Sequence, residues 1–377
     1  MNKIKLLKFV DNILGKPLVF LLCRVKKHHK GYPAKFKKIL IIRPGGIGDA
    51  VLLLPAINSL RAKFPDADID LLCEKRNADI FRLSKGISRI YLYDKGGGLF
   101  KYLRNRYDVV IDTEQWHRLP AVVAYLTGAA VRIGFDTNER GRLFTHGIAY
   151  SHDDYEVYSF LHLIEPLVSR CELRVADCGL SFNPEAPFLD IREAPTGNGY
   201  RPLVINHFKK NTKGLIVIFP GASVAERRWG GDRYGRVAKV LSDKGYEIVI
   251  LGSDADRRDA DRIKEYAGDC IDLTGRTNLR DLAAVLNMSK LLLTADSGLM
   301  HIAYAVGTPT VSLFGSGIEK KWAPRGRKHT VLNKHLDCSP CTRFGYTPSC
   351  RKKVKCMSLI SVEEVLQAAK STIEKSG

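Results

Sequence analysis

At 377 residues the chain is long enough for two domains of ordinary size, each with its own core, which excludes a mini-protein dependent on staples. Apolar residues at 45% and charged residues at 27% are globular averages and exclude a disordered or fibrous chain. The balance of 60 Lys and Arg against 40 Asp and Glu leaves +20, which implies a polyanionic partner: nucleic acid, an anionic membrane surface or a phosphorylated substrate.

Residues 1–38 form a basic segment. Leu6, Val10, Ile13, Leu14 and Leu21 recur near helical spacing, with Lys3, Lys5, Lys8, Lys16, Arg24, Lys26, Lys27 and Lys30 around them. Such a helix either lies in an anionic bilayer interface or packs on the domain with a solvated basic face. Gly15 and Pro17 are expected to break the pattern before it becomes long. The nearest thing to an apolar run, 17–23, is far short of the ~18 residues that span a bilayer, and no small-residue cleavage site follows it. It reads as neither a signal peptide nor a transmembrane helix.

From Lys38 strands and helices alternate, the grammar of an open parallel sheet. Residues 39–42 are a buried strand, followed by Pro44-Gly45-Gly46-Ile47-Gly48 and an apolar helical stretch over 49–64 that Pro55 should kink or divide. Strands are predicted at 69–73, 90–93 and 109–111. The Pro- and Gly-rich stretch 183–214 reads as an interdomain connection, giving expected domains at 39–190 and 215–357 with a linker at 191–214. After it the grammar repeats, with strands at 215–219, 247–251, 291–294 and 310–314. Two doubly wound units place a ligand cleft at the carboxyl ends of their sheets. The last segment, 358–377, opens with the capping box Ser361-Val362-Glu363-Glu364 and carries an apolar stripe of Val362, Val365, Ala369 and Ile373, expected to cross back to the first domain.

Four places can carry chemistry. In Gly45-Gly46-Ile47-Gly48-Asp49 the glycines admit close approach of a ligand to the backbone, and the spacing differs from the G-x-G-x-x-G of dinucleotide folds. Asp49 is either a general base at the cleft or an acid stabilising the helix start. After Pro220-Gly221-Ala222-Ser223, Arg227 and Arg228 suit phosphate oxygens. In Thr294-Ala295-Asp296-Ser297-Gly298-Leu299-Met300-His301 a strand end leads into a helix start whose amides bind anions, with Asp296 orienting the turn and His301 either ligand-facing or structural. Of three D-x-D triplets, Asp68/Asp70 and Asp259/Asp261 read as surface charge, whereas Asp254 and Asp256 sit where a carboxylate accepts ribose hydroxyls. Finally, Cys338-x2-Cys341-x8-Cys350-x5-Cys356 offers a structural zinc site, free thiols or a disulfide. The other five cysteines, Cys23, Cys73, Cys171, Cys178 and Cys270, are scattered as apolar residues of a reducing cytoplasm.

The segments Ile39-Leu40-Ile41-Ile42-Arg43-Pro44-Gly45-Gly46-Ile47-Gly48-Asp49 and Asp296-Ser297-Gly298-Leu299-Met300-His301, the latter continuing into Gly307-Thr308-Pro309, resemble glycosyltransferase family 9, the inverting ADP-heptose:lipopolysaccharide heptosyltransferases. Supporting pieces are 128–135, Pro220-Gly221-Ala222-Ser223 and Leu273-Thr274-Gly275-Arg276. The resemblance implies an α/β GT-B fold, two Rossmann-like doubly wound domains facing a central cleft, with the acceptor on the first and the nucleotide sugar on the second. It implies Asp49 as catalytic base, and Ser297, Gly298, Leu299 and His301 in the diphosphate-binding turn. Either Arg227 or Arg228 stands for the family's phosphate-binding lysine, and Asp256 falls within a residue or two of its ribose-binding acid. No metal or other cofactor is implied for catalysis. A phosphorylated lipid A and Kdo core, or another glycan, is the implied acceptor, and its charge fits Arg118, Arg132, Arg140 and Arg142. The basic first segment then suits an anionic inner-membrane surface and a cytoplasmic, peripheral location, and nucleic acid is no longer needed to explain the charge. Competing readings are a GT-B sugar-nucleotide epimerase, a non-catalytic nucleotide-binding protein, and an oxidoreductase with Glu74 on a ribose.

Overall fold

The structure, a computed structural model, describes residues 9–24, 35–94, 105–168, 180–191, 212–343 and 346–376. Leu6, Lys3, Lys5, Lys8, Lys26, Lys27, Lys30, Cys171, Cys178 and most of the expected linker lie outside the described residues. The chain divides into two compact units, Met1–Phe182 and Asn183–Gly377. The change of unit comes ahead of the expected linker, because the amides of Phe188 and Leu189 donate to the carbonyl of Ala305 at 2.9 and 3.0 Å and the Phe188 ring packs edge-on to Tyr304.

Each unit is built on a six-stranded, wholly parallel sheet. In the first, β1 (Lys38–Arg43), β2 (Asp68–Cys73), β3 (Arg89–Leu92), β4 (Val109–Asp112), β5 (Val131–Phe135) and β6 (His146–Ile148) lie in the order β3-β2-β1-β4-β5-β6. Ile39, Leu40, Ile41 and Ile42 are all buried, since a parallel sheet covered on both faces has no solvent side and its strands read as unbroken apolar runs. In the second, β7 (Leu215–Phe219), β8 (Glu247–Ile250), β9 (Ile271–Asp272), β10 (Leu291–Ala295), β11 (Thr310–Phe314) and β12 (His329–Asn333) lie in the order β12-β11-β10-β7-β8-β9. Counted from β7 this is the order of the first sheet, so the repeated grammar is a repeated topology. The order reverses between β1 and β4, and again between β7 and β10, and ligands of such sheets bind at the carboxyl ends of those strands.

Pro55 divides its helical stretch as expected, into Ile47–Leu52 and Leu54–Lys63. Having no N–H, it is tolerated at the start of the second piece and not inside one. Gly15 and Pro17, by contrast, do not stop the first helix. A π-helical turn, Asp11–Gly15, runs straight into the helix Lys16–Leu22, where Pro17 falls in the first turn and needs no amide partner. Gly15 is required by contact rather than by a break, because a Cβ there would come 2.9 Å from Cβ of Arg118.

The last helix, Val362–Ser376, starts with the capping box read from the sequence: the Glu364 amide donates to the Ser361 hydroxyl at 3.2 Å and the Ser361 amide to the Glu364 carboxylate at 2.8 Å. The expectation that this helix crosses to the first domain is corrected. Val365, Ala368 and Ala369 are buried in the core of the second unit with Trp229, Tyr234 and Val311, and Val362 and Ile373 pack against the same cluster.

Candidate functional site

In the first unit the glycine turn leaves the end of β1. Gly45 has φ +104°, the left-handed region that favours glycine, and its amide donates to Oε1 of Glu74 at 3.1 Å. Asn77, in the helix Lys75–Arg82, donates from Nδ2 to the carbonyls of Arg43 and Gly45 at 3.3 and 3.2 Å. The turn is thus clamped from β2's following loop and helix. Glu74 is buried, also accepts from the Tyr93 hydroxyl, and lies 2.5 Å from Nε of Arg76, so it is engaged in holding the turn. Gly46 caps the helix Ile47–Leu52 in extended conformation, and Gly48 and Asp49 fall in its first turn.

Asp49 is more than a helix-start acid. Nη2 of Arg43 donates to its Oδ2 at 2.9 Å, and Nη1 of the same guanidinium donates to the Thr113 carbonyl at 2.7 Å. The Arg43 side chain is 2% exposed and that of Asp49 31%, so a buried fork holds a carboxylate that still reaches solvent. Tyr150 lies close enough for Asp49 to act on its ionisation. Burial first, then Glu156 and Asp49, push its phenol above the ordinary range, keeping it protonated.

The four arginines expected to meet an acceptor do not share a setting. Arg140 is fully buried, with Nη2 2.6 Å from Oδ2 of Asp112 and Nη1 on the carbonyl of Glu114. Burial pushes the Asp112 carboxyl up to about 6, against the pull of Arg140. Glu114 feels the opposite balance: burial would raise it, but Arg43, His117 and Arg140 together hold it below the usual carboxylate range. Arg132 is buried too, donating to the carbonyls of Leu143 and Ala129 at 2.9 and 2.7 Å. Both are therefore corrected to fold-holding roles. Arg118 is mostly covered and bonds Asn138 at 2.6 Å, while Arg142 is exposed.

In the second unit the two adjacent arginines separate. Arg228 is claimed by two carboxylates, Asp256 at 2.6 Å and Asp259 at 2.9 Å. Asp256 is buried, and its other oxygen accepts from the amide and hydroxyl of Ser253 at 2.9 and 2.7 Å, so the expected ribose role does not suit it. The exposed carboxylate of that turn belongs to Asp254, 90% exposed and 3.7 Å from Arg257. Of the triplets read as surface charge, Asp261 pairs with Lys264 at 2.7 Å, but Asp70 is buried against the Tyr107 hydroxyl at 3.0 Å and Asp259 holds the Gly231 amide as well as Arg228.

Arg227 points to the end of β10. Its Nη1 is 2.9 Å from Oδ2 of Asp296, its Nη2 donates to the Thr342 hydroxyl at 3.4 Å, and its guanidinium carbon lies 5.9 Å from the Trp322 ring centroid. Asp296 thus positions an arginine, whose charge offsets the repulsion that a carboxylate would otherwise exert on a phosphate. Burial raises its carboxyl and Arg227 opposes the rise. Ser297 caps the helix Gly298–Val306, its hydroxyl accepting from the Met300 amide at 3.3 Å, and the amides of that first turn have no partner within the helix. Leu299 and His301 are buried in it. Burial, then Arg227, holds the His301 imidazole down to about 3, so it is neutral near pH 7, and its Nδ1 has no hydrogen-bond partner among the described residues. His301 contributes shape and a neutral ring, not charge.

Among the described residues no group of three or more His, Cys, Asp or Glu is placed to hold a metal. Cys338 and Cys350 are exposed, Cys341 half-buried and Cys356 buried, and all are free thiols. What the segment does supply is Thr342, whose amide and that of Cys341 donate to the Ser316 carbonyl while its hydroxyl meets Arg227. Thr342 and Trp322 escaped the sequence reading because nothing in their spacing ties them to Arg227. Arg43 was legible as a charge at the end of a buried strand, a position that demands a partner.

Comparison with known proteins fits this geometry. The sequence model of glycosyltransferase family 9 (heptosyltransferase) matches residues 97–350, about two thirds of the chain. Lipopolysaccharide heptosyltransferase 3 of Escherichia coli K12 is 28% identical over 307 residues, covering 74% of this chain and 82% of that protein. Among solved structures, a family 9 glycosyl transferase from Veillonella parvula superposes with a TM-score of 0.72 at 21% identity, over 91% of this chain and 98% of the other. The E. coli ADP-heptose lps heptosyltransferase II gives 0.70 at 22%, over 90% and 99%. Both share the two-domain GT-B fold.

Proposed function

The chain belongs to glycosyltransferase family 9, the heptosyltransferases, and from that premise we propose that it transfers a heptose from ADP-heptose to the inner core of lipopolysaccharide, inverting the anomeric carbon, with Asp49 as general base. The relatives named for lipopolysaccharide and ADP-heptose support both substrate classes. In this reading Asp49, oriented by Arg43, accepts the proton of an acceptor hydroxyl. The oxygen attacks the anomeric carbon in line, its new bond forms as the bond to the β-phosphate oxygen breaks, and ADP leaves with the electron pair. Arg227 and the amides of the first turn of Gly298–Val306 meet the charge that develops there, a fixed arrangement that needs no rearrangement at the moment of reaction. Asp254 takes the ribose hydroxyls. Arg142, and Arg118 once released from Asn138, meet phosphates of the lipid A and Kdo core, and the proposed setting is the inner face of the cytoplasmic membrane.

The observation that carries the donor half is the Arg227–Asp296 pair set two residues ahead of the helix Gly298–Val306, whose start is capped by Ser297 at the Met300 amide alone. Thermal unfolding with ADP, UDP, GDP, dTDP, CMP and NAD at equal concentrations, with and without Mg²⁺, tests it. ADP at a hundredfold its Kd stabilises by about 2.7 kcal/mol, and the shift should survive without added metal. A preference for UDP or GDP would change the sugar, and a response to NAD alone would contradict the reading.

A further inference from the structure

Residues 9–22 form one helical segment whose sides are reversed from those of an ordinary surface helix. The inner side holds the polar group: Asp11 is buried, accepts the Leu119 amide at 2.6 Å and lies 3.5 Å from Nδ1 of His117. Gly15 and Val19 complete that side, with Leu18 and Leu22 packed beside Val19 against Val122 and Tyr125 of the helix Leu119–Leu126. The outer side holds the large apolar side chains. Phe9, Ile13, Leu14, Phe20 and Leu21 are 57%, 53%, 49%, 45% and 59% exposed. Contiguous apolar surface of this kind on an otherwise satisfied fold marks an interaction face.

The charge around this face names the partner. Residues 1–37 contain ten Lys and Arg and one acid, a net +9 of the chain's +20, and that one acid is the buried Asp11. Lys16, 67% exposed, lies beside Gly15 at 3.8 Å from Glu139 and so borders the outer side, and the Arg24 guanidinium carbon stands 3.7 Å over the Phe20 ring. A second copy of the chain would bring two such positive segments together, so self-association on this face is opposed by its own charge. An anionic bilayer offers what both features need, acyl chains for the apolar side chains and headgroups for the lysines. Fourteen residues span only about 21 Å as a helix, too short to cross, so the segment lies in the plane of the interface. The family match begins at residue 97 and does not account for this segment.

We propose that the outer side of residues 9–22 is a bilayer-docking surface that seats Phe9, Ile13, Leu14, Phe20 and Leu21 in an anionic lipid leaflet, fixed to the first unit by Asp11. Its use rests on the lipid-linked acceptor proposed above; the binding itself does not. The test is co-sedimentation of the full chain with vesicles of phosphatidylglycerol and phosphatidylethanolamine against phosphatidylcholine alone, with no nucleotide or glycan present, so that a wrong donor or acceptor leaves the result unaffected. Binding to the anionic vesicles that weakens with salt is expected, along with a loss of at least tenfold in the double variant Ile13→Asp/Leu21→Asp. That variant should keep the wild-type melting temperature, because neither side chain is in the core. Leu359→Asp, at a residue 52% exposed in the second unit, should bind as wild type. On acceptor dispersed in detergent the double variant should turn over normally, and on vesicle-embedded acceptor it should fall with binding. Equal binding to both vesicle types, undiminished binding by the double variant, or its conversion of a wild-type dimer to monomer without change in vesicle binding would overturn the proposal.

Discussion

Residues of one type divide here into those that hold the fold and those left for a ligand, and the division is made by partners far apart in sequence. Arg140 and Arg142 are two positions apart, yet Arg140 is sealed against Asp112 and Arg142 is exposed. Removing one member of a buried pair strands the other charge, so Arg140→Ala should lose about 3–5 kcal/mol in urea unfolding. Arg142→Ala should stay within about 0.5 kcal/mol of wild type while raising KM for a phosphorylated acceptor. A similar loss from both variants would show that exposure does not separate their roles. The same division parts Asp254 from Asp256, whereas Arg227 and Arg228 are both paired and differ in where their partners sit, Asp296 at the end of β10 against Asp256 and Asp259. Sequence reading could name the charges but not sort them, because the Asp112 partner of Arg140 arrives at the end of β4 and the Asp259 partner of Arg228 in the helix Arg257–Ala267, 28 and 31 residues away in sequence.

At the scale of elements, the glycine turn after β1 is the device that sets Asp49. Gly45→Ala would place a Cβ 3.1 Å from Nη2 of Arg43 at φ +104°, so it strains the backbone by about 1–2 kcal/mol and pushes on the group that orients the carboxylate. Its expected signature is a kcat roughly 100-fold lower with ADP affinity unchanged, since the proposed nucleotide site is in the other unit. An intact kcat would mean that the Arg43–Asp49 geometry is not what matters. This turn was legible because only glycine chemistry explains it, and β1, β2, β4, β7, β8, β10 and β11 were legible as short, mainly apolar runs, β2 and β11 each broken by a single polar residue, Asp70 and Ser312. β5 was not read as a strand. Arg132 and Gly134 interrupt it, and both have tertiary reasons: Arg132 bonds inward to carbonyls, and a Cβ at Gly134 would strike the Phe144 ring at 2.3 Å. β9 has two residues and β6 three, too few for any periodicity to show. The capping box of the last helix was plain, but its destination was decided by Ala368 and Ala369, whose small size lets it settle on the second unit's core.

For the whole molecule, acid should act chiefly on the second unit. His301 is buried and His329 half-buried there, held down to about 3 and about 4 by loss of solvent and, next, by Arg227 at His301, with Glu185 raising His329 against that loss. A folded pKa below the unfolded value of about 6.5 means the unfolded state binds the proton first. The contribution is therefore complete above pH 6.5 and is lost as pH falls toward 4 and then 3. Between pH 6.5 and 5 each histidine should remove about 2 kcal/mol, and His301→Gln should flatten the pH dependence of urea unfolding by that amount. An unchanged slope would place a counter-charge or water beside His301. The two-unit plan was readable because its opening pattern recurs after residue 214, whereas the +20 balance implied an anionic partner without locating it. The helix 9–22 shows why: its exposed apolar side is visible only once Asp11 is found facing inward.

The central claim is that Asp49 takes the acceptor's proton while the second unit holds the departing ADP. Heptose transfer and ADP release by Asp49→Asn, measured beside its ADP affinity, test it most directly. Turnover is predicted to fall by roughly 10²–10⁴ with ADP affinity within about twofold of wild type. Turnover close to wild type would remove Asp49 as the base and contradict the account.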